Sequence, residues 1–403
     1  MTNKMGLLGS LPPSRLPQHG LVKAHGRWLG DSLFWDGVYV KVEWKGEKPS
    51  LKEGDLLVCE GEVVGGVLEC THVSWLRHVH RPYRSFGDPQ FLKQWESFVS
   101  HVRCFFKSKE FLEVRTPTLV PCPGMEPHLL PFETTWVLGQ QKKTFFLPTS
   151  PEFHLKKLLS SGVDRLFEFK DSFRNGELGE HHQPEFLMLE WYRSFSGIEA
   201  IQEDLKDLIS SLSKTFLKKE LKIECTTMEE LFQNHLDFLL RVSTSQEELM
   251  ALAHRVGLGD SLSAQDTWDD VFFKIFINKI EPQFKNRALL VAKFPPSQAA
   301  LATLTEDGWA HRFEFYWNGL EIANAYNELT DAQEQRLRFQ KDQKLQKELG
   351  RAPLDIDEEL LEALEIGLPP CGGIALGMER LYMALFSVKR IQEVRAFALS
   401  DRS

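Results

Sequence analysis

Between His311 and Asn324 the chain reads His-Arg-Phe-Glu-Phe-Tyr-Trp, then Asn318-Gly319, then Leu-Glu-Ile-Ala-Asn. Asn-Gly flanked by alternating residues is the strongest short-range hairpin signal, because both positions tolerate the positive φ of a type I′ turn. The segment therefore commits this part of the chain to antiparallel sheet. A two-residue turn sets Trp317 opposite Leu320, Tyr316 opposite Glu321 and Glu314 opposite Ala323. That register places Glu314, Tyr316 and Glu321 on one face, and Phe313, Phe315, Trp317, Leu320 and Ile322 on the other. Asn324 and Glu328 have the wrong parity for the Glu314 face unless a bulge or a strand end intervenes. Two carboxylates on diagonal cross-strand positions suit one divalent ion bridging phosphate oxygens. Taken alone, the same face reads equally well as a solvated acidic surface.

A second constellation runs from Leu166 to Tyr192. Two strand-like runs, Leu166–Arg174 and Glu185–Tyr192, flank the polar loop 175–183. Alternation puts Phe186, Met188, Glu190 and Tyr192 on one face and Leu187, Leu189 and Trp191 on the other. Phe, Met, Glu and Tyr together suit neither a core nor a solvated surface, but they suit a pocket floor. Arg174 closes the facing strand, where a guanidinium can clamp a phosphate or a carboxylate. An amphipathic hairpin with an exposed loop is the plainer alternative.

Two helix starts complete the set. Gly372-Gly373-Ile374-Ala375-Leu376-Gly377 is a glycine-bounded apolar strand running into a helix that carries Arg380 in its first turn. The helix dipole disfavours a cation there, so Arg380 calls for an anion, either a nucleotide phosphate or a nearby carboxylate such as Glu379. Ser150-Pro151-Glu152 opens another helix, with Ser as N-cap and Pro at the first position, a start that requires no function. The chain has no G-x-x-x-x-G-K-[ST], G-x-G-x-x-G, H-E-x-x-H or G-x-S-x-G motif, so nucleotide binding would need another architecture.

The N-terminal part differs in character. Val38, Val40, Val42 and Trp44 alternate with polar neighbours, and Gly65-Gly66 separates two short strand-like runs. Short strands with glycine turns suggest a small barrel of the OB type over 21–82, after a Pro/Gly/Ser-rich, poorly ordered lead-in over 1–20. Arg77–Pro82 reads as a linker to a larger domain over 83–403. That domain opens with an amphipathic helix on which Phe91, Trp95, Phe98, Val102 and Phe105 recur at helical spacing; residues 200–290 read as mostly helical. A net charge of −9 argues against a dedicated DNA binder. Six scattered cysteines without metal-site spacing read as reduced core thiols, and no signal peptide or membrane span is legible, so a cytoplasmic protein is expected.

In this order, the helix 90–110 with Pro117, the run Phe173-Arg174 through Glu190, and the run Gly373 to Arg380 resemble the three signature motifs of class II aminoacyl-tRNA synthetases. TSPEFHLKKLL (149–159), HHQPEFLMLEWYR (181–193) and LEIANAYNELTDAQEQ (320–335) are similar to the lysyl branch. Ser150, Ala375 and the run Phe294-Pro295-Pro296-Ser297-Gln298-Ala299 resemble its tRNA-independent ligases, which attach (R)-β-lysine to elongation factor P. The resemblance covers about residues 80–403. It implies an α+β fold: a class II synthetase catalytic domain, an antiparallel sheet flanked by helices, preceded by the OB-like barrel.

The resemblance also implies roles. Glu152 and Glu328 would hold the substrate's amino groups. Glu190 and Tyr192 would complete an amine pocket with Asn324, Ser150, Pro151 and Ala375 around it. Arg174 would bridge the substrate carboxylate and the α-phosphate of ATP. Asn175, Gln183 and Phe186 would cradle adenine, with Gly176 and Ile322 also at the nucleotide. Glu314 and Glu321 would bind Mg²⁺, and Gly377 and Arg380 would hold the ribose and γ-phosphate side. Gly176 stands where the family usually carries Glu, a place Glu177 can take, and Gln183 replaces the usual Asn. The implied activity is ATP-dependent activation of lysine or (R)-β-lysine as an acyl-adenylate, then transfer to a lysine of elongation factor P by a homodimer. The barrel keeps tRNA open as an acceptor, and Gly176 keeps open a catalytically inactive regulatory relative.

Overall fold

In the computed structural model, residues 9–80 and 87–399 are described. The chain falls into two units, one running to Ser97 and one from Phe98. The first holds five strands, β1 (His19–Leu29), β2 (Ser32–Trp35), β3 (Val38–Trp44), β4 (Leu56–Val64) and β5 (Val67–Arg77). They close into a barrel in the order β1-β2-β3-β5-β4. Gly65 and Gly66 take φ of 57° and 82° and join Val64 to Val67 in a two-residue hairpin, as their composition predicts. Val40 and Val42 point into a core with Trp28, Leu33, Leu57 and Leu68. Residues 9–20 are less loose than their composition suggests. Leu11 exchanges backbone hydrogen bonds with β1, its N–H donating to Lys23 and its carbonyl accepting from His25. Residues 1–8 of the expected lead-in and Arg81-Pro82 of the expected linker lie outside the described residues.

Helix α1 (Pro89–Ser108) begins in the first unit and continues in the second. Its buried residues are Phe98, Val102 and Phe106; Phe106 takes the place the spacing suggests for Phe105. The second unit adds ten strands, β6 (Leu112–Glu113), β7 (Phe132–Leu138), β8 (Gln141–Leu147), β9 (Arg165–Phe173), β10 (Glu185–Ser194), β11 (Glu224–Thr227), β12 (Ala288–Phe294), β13 (Ala310–Trp317), β14 (Leu320–Asn327) and β15 (Cys371–Gly377). Among the described residues, eight α-helices join them: α2 (Glu152–Ser160), α3 (Ile198–Leu212), α4 (Met228–Leu236), α5 (Gln246–Arg255), α6 (Trp268–Ile275), α7 (Ala332–Glu348), α8 (Glu358–Gly367) and α9 (Met378–Phe386).

Eight strands form one sheet in the order β11-β12-β13-β14-β15-β10-β9-β6, and β7 and β8 form a separate hairpin. Only the outermost pairs, β11 with β12 and β6 with β9, are parallel. Residues 200–290 therefore hold strand β11 and the start of β12 as well as helices.

One face of the sheet is closed by aromatic packing. Phe106 of α1 stacks on Phe167 of β9 at 5.0 Å and lies 5.0 Å from Trp191 of β10. The other face carries the cavity described below. Cys59, Cys70, Cys122 and Cys371 are buried thiols as expected, whereas Cys104 and Cys225 are exposed. Among the described residues no helix is long and apolar enough to cross a membrane.

Deleting a fully buried phenyl ring costs about 3–5 kcal/mol. Phe106→Ala is expected to lower the urea midpoint of the larger unit's unfolding with the slope unchanged, and an unaltered midpoint would contradict this packing.

Candidate active site

The floor of the site is laid in rows by three adjacent strands. Glu190 of β10 pairs with Ala375 of β15, and Ala375 pairs with Asn324 of β14; the next row is Tyr192, Gly373 and Tyr326. Met188 pairs with Gly377. Residues two apart on a strand share a face, so these rows point together into a cavity of about 260 Å³, which Phe186 also lines. The four-residue face expected of β10 is thus present in full. A Cβ on Gly373 would lie 2.1 Å from Tyr192 Cε1 and 2.3 Å from Glu328 Oε1. Only glycine leaves room for both side chains to lean across β15.

The hairpin at Asn318-Gly319 departs from the expected register. Trp317 pairs with Leu320 and Tyr316 with Glu321, but Phe315 then pairs with Ala323 and Glu314 with Asn324. A bulge at Ile322 takes up the extra residue. It turns Asn324, Tyr326 and Glu328 to the same cavity that Glu321 lines, which removes the parity conflict.

One end of the cavity is built for cationic groups. Ser150 Oγ accepts from the Glu152 amide at 3.0 Å and donates to Glu190 Oε1 at 2.6 Å, while the Tyr192 hydroxyl donates to Glu190 Oε2 at 3.1 Å. Burial, reinforced by the charge of Glu152, pushes the Glu190 pKa well above the usual carboxylate range. Glu328 is pushed up to about 8 by burial, with Lys156 opposing the shift and Glu152 adding to it. Pro151 is the N-cap of α2, and Ser150 precedes it. Pro151 orients its neighbours and does not line the cavity.

The other end is built for anions. The Arg174 guanidinium lies 5.1 Å from the Phe186 ring centroid and 3.9 Å from Glu177. Its Nε, and the Nε2 of the 3%-exposed Gln183, are buried without hydrogen-bond partners. Orphaned donors beside a flat ring are what a nucleotide would satisfy. Arg380 sits in the first turn of α9, donating to the Glu321 carbonyl at 3.0 Å and approaching the Glu321 carboxylate at 4.0 Å. Its plainer alternative partner, Glu379, is engaged elsewhere, accepting from the Leu187 amide and pairing with Arg395.

Three more of the expected residues stand outside the lining. Asn175 pairs its backbone with Leu130, Gly176 turns at φ 81° beside open space, and Glu314 is bound by Arg312 and Tyr316. Glu177, next to Gly176, does line the cavity.

Burial raises the Glu314 pKa to about 7, with the charge of Arg312 opposing and those of Glu321 and then Glu281 adding. Among the described residues no cluster of three or more His, Cys, Asp or Glu is arranged to hold a metal. Glu314 and Glu321 are hard oxygen donors whose mutual repulsion a divalent cation would relieve. They would supply only part of a Mg²⁺ shell, and phosphate oxygens and water would have to supply the rest.

Sequence reasoning passed over Lys156, Glu126, His181, His182 and Arg312. Glu126, His181 and His182 line the cavity. Arg312 is clamped by Asn324, the Gln298 carbonyl and Glu314. Lys156 alone had a signal, its i,i+4 spacing from Glu152.

Residues 74–401 match the family described as tRNA synthetases class II (D, K and N). Two similar relatives are named elongation factor P–(R)-β-lysine ligase. That of Klebsiella pneumoniae (strain 342) is 37% identical over 325 residues, covering 78% of this chain and 96% of its own. That of Proteus mirabilis is 36% identical over 304 residues, covering 74% of this chain and 92% of its own. The chain belongs to the class II tRNA synthetase family of the D, K and N group.

Proposed function

We propose that this protein activates lysine or (R)-β-lysine with ATP and transfers the acyl group to a lysine side chain of elongation factor P. The observation that carries the reading is one cavity with Glu152, Glu190 and Glu328 at one end and Arg174, Phe186 and Arg380 at the other. A small acid bearing two amines and one carboxylate spans those two ends. Ser150, Glu152, Glu190, Tyr192, Asn324 and Glu328 would receive the amines, with Ala375 beneath them. Arg174 would bring the substrate carboxylate and the α-phosphate together. Phe186, Gln183 and Ile322 would hold the adenine, with Asn175, Gly176 and Pro151 fixing the loops behind them. Gly377 and Arg380 would hold the ribose and the distal phosphates. Mg²⁺ held by Glu314 and Glu321 would neutralise phosphate charge.

The chemistry is then in-line displacement at phosphorus followed by acyl transfer. The substrate carboxylate attacks the α-phosphorus and pyrophosphate leaves. Next the acceptor amine attacks the acyl carbon and AMP leaves. Both steps are accelerated by positioning and charge neutralisation, so no protein nucleophile is required. A homodimer in the cytoplasm belongs to the same reading.

The relatives' names supply the acceptor, and the N-terminal barrel supplies the competing one, tRNA. Incubation with ATP and radiolabelled (R)-β-lysine, with elongation factor P and bulk tRNA in parallel, separates them. Label on the protein factor is expected; label on RNA alone would transfer the function to tRNA.

Arg174→Ala is expected to cut ATP–pyrophosphate exchange by about 10²–10³-fold, the scale of losing one preorganised charge contact. Near-normal exchange in the folded variant would remove Arg174 from the chemistry.

The raised Glu328 pKa also sets a pH dependence. A carboxyl held near 8 keeps its proton below that pH, whereas an ammonium ligand binds the ionised form. Without ligand, the proton-favouring folded state loses stability as pH rises from the unfolded value towards 8. Lysine binding offsets that loss, so the thermal shift it produces should be larger at pH 8.5 than at pH 6.5. A shift independent of pH would count against an amine on Glu328.

A further inference from the structure

We propose that Lys156 is the internal counter-cation of the amine pocket, a positioning residue that holds one oxygen of Glu152 and one of Glu328 so that their other oxygens face the substrate's two ammonium groups. The inference rests on the reading that the cavity takes a diamino acid. Lys156 lies one turn beyond Glu152 on α2 and is 2% exposed. Its Nζ is 2.6 Å from Glu152 Oε1 and 2.6 Å from Glu328 Oε2. It does not line the cavity, so it acts through the carboxylates rather than by contact.

The remaining oxygens are unspent. Glu328 is 2% exposed and its Oε1 meets no donor. That oxygen occupies the space left by the missing side chain of Gly373, which opens on the cavity. Glu152 lines the same wall, and its Oε2 has no hydrogen bond among the described residues. Glu190, the third carboxylate, already has a hydroxyl on each oxygen.

The charges can be counted. Glu152, Glu190 and Glu328, when ionised, set three negative charges against one positive on Lys156, and Glu126 on the cavity wall adds to the excess. That excess suits an acid with two ammonium groups whose carboxylate is answered separately by Arg174. Two buried carboxylates sharing a wall would otherwise repel each other, and one would keep a proton. Lys156 opposes the rise in the Glu328 pKa without filling the cavity. A buried lysine with no carboxylate would lose its own charge, so the three groups depend on one another. No other group described in the reaction gives Lys156 a task.

The test is ATP–pyrophosphate exchange with (R)-β-lysine in three variants. Lys156→Met, which keeps the length and removes the charge, is expected to raise KM at least tenfold while kcat stays within about threefold. Lys156→Arg should keep KM within about threefold. Lys156→Ala should lose affinity as Met does and regain it with millimolar ethylammonium, but not with ethanol. A purely structural lysine would lower the folded fraction and leave the KM of the folded remainder alone. Rescue by ethylammonium is a response no packing defect would give. Unchanged KM in Lys156→Met, or a Lys156→Ala defect indifferent to ethylammonium, would overturn the proposal.

Binding of 1,5-diaminopentane, followed by calorimetry, reports on the pocket without the chemistry. If wild type shows no exchange with either isomer of lysine yet binds the diamine, the catalytic reading fails. Lys156 is then judged by whether its Met variant binds the diamine at least tenfold more weakly. If Lys156→Met does not fold, Lys156→Arg and wild type are compared instead, and a large loss of diamine affinity in the Arg variant would count against a role that needs only the charge.

Discussion

The row Glu190–Ala375–Asn324 is the constraint from which the site follows. Backbone hydrogen bonds fix these three positions on β10, β15 and β14, and strand pleating dictates which of their neighbours face the cavity. Because sheet periodicity is two, a slip of one residue in either pairing would exchange the polar row for the apolar row behind it. Tyr192, Tyr326, Glu328 and Met188 owe their placement to that register. The helices add further charges from the ends: α2 brings Glu152 and Lys156, and α9 brings Arg380.

The cavity is therefore an electrostatic gradient built on a rigid plane. At one end carboxylates outnumber cations, and burial keeps Glu190 and Glu328 from ionising easily. At the other, Arg174 meets only Glu177 at 3.9 Å and keeps an orphaned Nε, while Arg380 is held by the carbonyls of His181 and Glu321, by His182 Nε2 and by the Glu321 carboxylate at 4.0 Å. Such groups are costly to bury without partners. A ligand with amines at one end and phosphates at the other relieves both costs at once.

Much of this was legible in the residues. The odd face of β10 announced a pocket floor because neither burial nor solvation explains Phe, Met, Glu and Tyr in alternation. Arg380 stood out because its helix dipole works against it. The barrel was legible from glycine turns and alternating valines. What stayed hidden has physical causes. The Asn318-Gly319 turn fixes only the pairs nearest it, so the bulge at Ile322 could not be read from spacing, and Glu314 was paired with the wrong residue. Strands β6 and β11 join through parallel edges that leave no hairpin signal. Lys156 offered only its i,i+4 spacing from Glu152, which does not say that its Nζ turns inward. Glu126 lies on a loop, where periodicity carries no information.

The bulge at Ile322 has a consequence for how β14 can vary. One inserted residue lets a single strand change allegiance partway along its length. Its first half faces the cavity with odd-numbered Glu321, and its second half with even-numbered Asn324, Tyr326 and, just past the strand, Glu328. Glu321 and Glu328 are thereby uncoupled in phase. Each can drift or be exchanged without dragging the other off the cavity. Changes in the far half can accumulate while the near half keeps its position at the cavity.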